Sequence, residues 1–213
     1  MRFARQTSEF DRSLSFFDVA YGFALTLLIA NIDVPPPDAW RNIHTLLAHG
    51  VGTQLAGFLI SFIVITMFWR TNQDLLSRLR GMDRVLVTWN VYRAGLVIFI
   101  PFTTQGMSDP QTVDLPLPTV LYAVNVSVAI LAQVVMYVIA GRRGLLETPV
   151  TPRAARAEII DALSKPVVLL GSIPIAYLYG GIAAKLSWLS LFVIGPAVGI
   201  WATRVARREG MDL

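Results

Sequence analysis

The sequence predicts an all-α, polytopic membrane protein with six transmembrane helices, and three observations carry that expectation. Hydrophobic residues fill 54% of the 213 positions and charged residues only 15%, with a mean hydropathy of +0.58; a soluble domain holds about a quarter of charged residues. Six apolar stretches approach the roughly 20 residues that a helix needs to cross the hydrocarbon core. The bases between those stretches gather on alternate connections, as they do when one side of a membrane protein is cytoplasmic.

The first stretch, residues 14–34, follows Arg2, Arg5 and Arg12 and closes before Pro35-Pro36-Pro37. Such a basic flank suits a secretion signal, but Asp18 interrupts the run and no small-x-small cleavage site ends it, so it is expected to persist as a helix. The second stretch covers 51–69. The third, 85–102, has Pro101 near its end; the fourth, 117–140, follows Pro116 and Pro118; the fifth, 167–184, follows Pro166; the sixth covers 186–203. Proline punctuates helix ends because it lacks the N–H that an interior position must donate. Pro174 and Pro196 fall inside the last two stretches and are expected to kink them. The longest connection, Gly141 to Lys165, carries Thr151-Pro152 as an N-cap and first-turn pair, and reads either as a short interfacial helix or as a solvated loop. All of residues 1–213 then belong to one membrane domain.

Orientation follows from the bases. Arg2, Arg5, Arg12, Arg70, Arg78, Arg80, Arg84, Arg142, Arg143, Arg153, Arg156, Lys165, Arg204, Arg207 and Arg208 fall on one side, Arg41 and Lys185 on the other, and Arg93 inside the third span. This asymmetry of 15 to 2 predicts cytoplasmic termini. The same excess of bases accounts for the net charge of +4 without any nucleic acid as partner. With no cysteine, thiol chemistry and cysteine metal sites are excluded. His44 and His49 in the first outer connection lie in no metalloprotease, nucleophile-elbow or phosphate-loop pattern, so neither catalysis, nor a metal, nor a cofactor is expected.

Few ionisable residues interrupt the spans. A carboxylate in hydrocarbon costs at least a few kcal/mol and so seeks donors. Asp18 near the start of the first helix, Trp69 at the end of the second, and Asn90 and Arg93 near the start of the third lie at one depth, and can form a polar cluster joining three helices. The competing reading makes Trp69 an interfacial aromatic and lets Arg93 snorkel to the headgroups. On the first helix, Phe16, Ala20, Phe23, Leu27, Ala30 and Val34 recur every three or four residues, within about 40° of one line at about 100° per residue. Asp18 falls opposite. That stripe faces either lipid, or a packed neighbouring helix, or a symmetry axis at which several such helices meet.

Arg12-x-x-x-Phe16-Phe17-Asp18, followed by Thr26-Leu27-Leu28, resembles the RxxxFSD first-helix signature of the transmembrane protein 175 family. Ser61-Phe62-Ile63-Val64-Ile65, Phe68-Trp69, Asp83-Arg84, Asn90 and Pro101-Phe102 continue the resemblance in order over roughly residues 12 to 103. It implies a potassium-permeable cation channel of the inner membrane, a homotetramer of six-helix subunits with the first helix lining the pore. By position, Phe23, Leu27 and Ala30, with Thr26 beside them, match the pore-lining residues of a hydrophobic constriction, while Arg12, Asp18, Trp69 and Asn90, with Arg93, match a structural polar network. Phe17 stands in place of the motif serine, Asn72 where the family often has a histidine, Phe23 for an isoleucine and Ala30 for a leucine. Partners are then the chain itself, membrane lipids and monovalent cations, with K⁺ permeant. A secondary transporter and a non-conducting scaffold of the same fold are the rival functions.

Overall fold

A computed structural model describes residues 2–5 and 7–210. A short strand β1 (Arg2–Ala4) precedes α1 (Ser8–Ala30); a 3-10 turn (Pro37–Arg41) and α2 (Ile43–Ala48) cross to α3 (Val51–Ser77). Strand β2 (Gly81–Asp83) leads into α4 (Arg84–Ile98) and α5 (Ile100–Ser108), followed by α6 (Pro116–Arg142), α7 (Pro152–Ser187) and α8 (Leu191–Arg208). Among the described residues, five helical stretches are long and apolar enough to cross a membrane, the last running from Pro152 to Arg208. α1 packs on α3, α4 and α5; α6 covers α4 and α5, and α7 and then α8 follow outward.

Several boundaries differ from the sequence expectation. α1 starts at Ser8 and ends at Ala30 rather than running 14–34, because hydropathy marks the hydrocarbon rather than the helix, and Glu9 and Asp11 suit a first turn outside it. The third span breaks between α4 and α5 around Phe99, two residues before Pro101, whose missing N–H removes a helical hydrogen bond. The third difference is larger. The connection before Pro166 is a helix continuous with the fifth span, capped as the sequence predicts by Thr151, whose hydroxyl accepts from the Ala154 N–H at 3.3 Å. Pro166 lies within that helix, and Ser164 and Lys165 side chains donate to the Asp161 carbonyl just below it.

The reversal between the fifth and sixth spans lies at Gly180, not at Lys185. Gly180 has φ +88° and splits α7 into an arm of residues 152–179 and a returning arm that continues through a 3-10 turn (Trp188–Ser190) into α8. Contacts across the hairpin are symmetric about it: Trp188 Nε1 donates to Ser172 Oγ at 2.9 Å, and Arg153 meets Glu209 at 3.5 Å. A side chain at Gly180 would also strike Asp114 Oδ1 at 2.5 Å, and one at Gly181 the Leu115 carbonyl at 2.7 Å. The site accepts only glycine on both counts. The Gly181 N–H donates to the Asp114 carbonyl at 2.8 Å, and Lys185 ties the hairpin to the Met107 and Val113 carbonyls.

One end of the bundle is a charged platform. β1 pairs antiparallel with β2, Leu79 bridges Leu146, and ion pairs join Asp83 to Arg143 (2.5 Å) and Arg78 to Glu158 (3.1 Å). The N-terminal strand, the α3–α4 and α6–α7 connections and the end of α8 all gather here. Asp83 caps α4, its carboxylate accepting the Leu86 N–H at 2.9 Å. Burial pushes its pKa up, but the backbone donors Leu86 and Val85 and the Arg143 guanidinium outweigh that and leave it below the usual value. At the other end, Asn31 donates to the Pro101 carbonyl (2.9 Å) and Gln54 exchanges two hydrogen bonds with Asp33.

Candidate functional site

The outer surface of α1 and the polar groups behind it form the candidate site. Phe10, Phe17, Ala20, Tyr21, Ala24 and Leu28 are its buried face. Phe17 is 1% exposed, so the position where the motif serine is missing is filled as core. From this face the helix turns about 100° one way to Asp18 and about as far the other way to the stripe. Phe16, Phe23 and Leu27 of the stripe are exposed (56%, 61% and 45%), and so is Ala30; Ala20 is buried at its shoulder, and Val34 lies beyond the helix end. Thr26 is exposed beside the stripe, its hydroxyl donating back to the Phe23 carbonyl at 2.9 Å.

The polar residues do not form one cluster. Asp18 stays on the surface of the chain, where its Oδ1 accepts from Trp69 Nε1 at 2.9 Å and from Gln73 Nε2, one turn further along α3. Arg93, far from snorkelling, is fully buried and forms a second network. Its guanidinium donates to the Tyr21 hydroxyl, to Asn72 Oδ1 (3.0 Å), to Thr71 Oγ1 (2.9 Å) and to the Phe68 carbonyl (2.8 Å), with the Tyr21 and Phe68 rings flanking it. Asn90 belongs to neither network: it is fully buried one turn from Arg93, with both amide atoms unpartnered within the described residues. Arg12 is exposed on the first turns of α1.

Tyr21, Thr71 and Gln73 escaped the sequence reading. Two of them carried a usable signal, because Tyr21 lies three residues beyond Asp18 and Gln73 four beyond Trp69, each the next position on the same helix face. Asn72, which replaces the family's frequent histidine, accepts from Arg93, so α1, α3 and α4 are joined around a guanidinium. The arrangement presents an apolar helix face braced from behind by hydrogen bonds.

Comparison with known proteins agrees with this architecture. Residues 12–101 match the family described as the endosomal/lysosomal potassium channel TMEM175. A potassium channel of Streptomyces collinus is 29% identical over 105 residues, 48% of this chain and 49% of that protein. A potassium channel of Chamaesiphon minutus is 28% identical over 109 residues, 50% of this chain and 53% of that one. In sequence, the chain thus spans about half the length of the curated relatives it matches. The crystal structure of a lysosomal potassium-selective channel TMEM175 homolog from Chamaesiphon minutus superposes with a TM-score of 0.70 at 21% identity, covering 92% of this chain and 99% of that one, which shows a shared fold. The chain is a multi-pass membrane protein whose residues 12–101 are similar to the TMEM175 family.

Proposed function

We propose that the protein is a potassium-permeable cation channel, a homotetramer in the inner membrane whose pore is lined by α1 and narrowed by a hydrophobic constriction. The observation that carries this reading is the exposed stripe of Phe23, Leu27 and Ala30, set apart from the buried face of α1 in a chain that shares its fold with a channel. Each subunit crosses the bilayer six times, with the Gly180 hairpin supplying the last two crossings, and the basic platform is cytoplasmic under the positive-inside rule. Four Phe23 rings at one level fill more space than four Ala30 methyls, so the pore narrows at Phe23 and Leu27 and widens outward. A narrow apolar ring dewets and offers an ion no oxygen in exchange for its hydration shell, which closes the path without a plug. Asp18, Trp69 and Arg93 brace α1 rather than bind the ion.

The transporter alternative requires a charge free to couple to a substrate. Arg93 is engaged by four partners, and Asp18 by two. Planar-bilayer recording of the reconstituted chain separates the readings: discrete unitary K⁺ currents support the channel, whereas ion-coupled uptake or electrical silence from assembled protein excludes it.

A further inference from the structure

α8 is the outermost helix, packed chiefly on α7 and remote from α1. Along its free side runs an open trough of about 450 Å³, lined by Pro196, Gly199, Ile200 and Thr203 and ending at Arg204 and Arg207. Its volume falls in the range of small-ligand sites. The trough exists because Gly199 has no side chain beside the Ile200 and Thr203 walls. The Thr203 hydroxyl is turned inward to the Gly199 carbonyl (2.9 Å), which leaves the floor apolar. An acid on α7, Asp161, lies 3.6 Å from where a Cβ on Gly199 would stand and is paired with Lys165 at 2.6 Å. Arg204 and Arg207 are exposed and, within the described residues, have no ion-pair or hydrogen-bond partner.

The depth of these two arginines gives them a use. They follow the Gly180 reversal by 24 and 27 residues, roughly 36 and 40 Å at 1.5 Å per residue. The hydrocarbon core is about 30 Å thick and the bilayer with its headgroups about 40–45 Å. With the reversal at one interface, the trough lies in the acyl region and the guanidinium groups reach the headgroups of the opposite leaflet. We propose that this trough binds one anionic phospholipid, with an acyl chain along Pro196, Gly199, Ile200 and Thr203 and the phosphate held between Arg204 and Arg207. Two guanidinium groups one turn apart match a phosphodiester in charge and in donor geometry. The inference needs only that the chain spans a membrane, not that it conducts.

The test reconstitutes the full chain in vesicles of equal parts phosphatidylcholine and phosphatidylglycerol, extracts it in mild detergent and counts retained lipids by native mass spectrometry. Retained phosphatidylglycerol should exceed phosphatidylcholine by roughly thirtyfold, given two basic residues that each contribute about 1 kcal/mol of attraction at an anionic surface. R204Q/R207Q, at two exposed positions, should abolish the preference. Gly199→Leu should lower the number of lipids retained with both arginines intact, and its melting temperature shows whether it is folded; Gly199→Ala is the milder form. Arg208→Gln, off the trough, should behave as the parent does. Equal retention of both lipids by the parent, an unchanged preference in R204Q/R207Q, loss of preference in Arg208→Gln to the same extent, or full retention in folded Gly199→Leu would each overturn the assignment.

Discussion

Trp69 donates its indole N–H to the Asp18 carboxylate across 2.9 Å, joining α1 to α3 on the shoulder opposite the apolar stripe. With Gln73 as second donor, this carboxylate fixes how far α1 is rotated against the rest of the subunit, and therefore which residues it presents outward. Loss of a hydrogen bond to a charged group removes about 1.5–3 kcal/mol. Trp69→Phe and Asp18→Asn should both lower the yield of assembled oligomer on size-exclusion chromatography, while the potassium-to-sodium permeability ratio of surviving channels stays as in the parent. A changed ratio with normal assembly would make Asp18 an ion ligand.

Arg93 is the more costly residue to disturb. Its removal leaves the Tyr21 hydroxyl and the Asn72 amide without their partner inside the bundle, and each buried polar group left unpaired costs about 1–3 kcal/mol. Arg93→Met should fail to accumulate or melt well below the parent. Arg93→Lys keeps the charge but not the planar fork that reaches Tyr21, Asn72 and Thr71 together, so it should fall between the two in a detergent melting series.

Much of this was legible in the sequence and some was not, for physical reasons. Apolar stretches and prolines marked out long apolar helices, because hydrocarbon demands length and apolarity. Helix continuity beyond the hydrocarbon leaves no such mark: the polar arm of α7 below Pro166 satisfies its backbone as a helix in water as well as in lipid. The reversal at Gly180 was hidden because glycine is common in membrane helices, and only its positive φ and the approach of Asp114 single it out. Equal depth suggested that Asp18, Asn90 and Arg93 share one cluster; helix rotation puts Asp18 on the shoulder of α1 and the other two in the interior, and depth carries no information on rotation.

The Asp83 carboxylate gives the platform a pH dependence. Its folded pKa lies below the unfolded value, so its contribution is complete above the ordinary carboxylate range near pH 4 and is lost as pH falls through the lowered folded value. The parent should lose stability relative to Asp83→Asn as the buffer is taken from pH 6 to pH 3, and the two melting curves should converge at the acid end. Parallel curves across that range would mean that Asp83 contributes no charge-dependent stability.

Topology is open to direct measurement, since the chain has no cysteine. Single cysteines at Ser8 and at Gly210, at the charged platform, should resist an impermeant maleimide in intact cells, whereas one at Asp38 in the opposite connection should react. Labelling at either platform position would invert the membrane orientation.

The central claim is that the α1 stripe lines a pore. The most direct test records Phe23→Ala and Ala30→Leu beside the parent in planar bilayers, from protein shown to be assembled. Removing the ring at the narrowest level should raise leak current and weaken ion discrimination, and adding four isobutyl groups at Ala30 should narrow the wide outer half and lower unitary conductance. Unchanged currents in both variants would place the stripe against lipid and remove α1 from the conduction path.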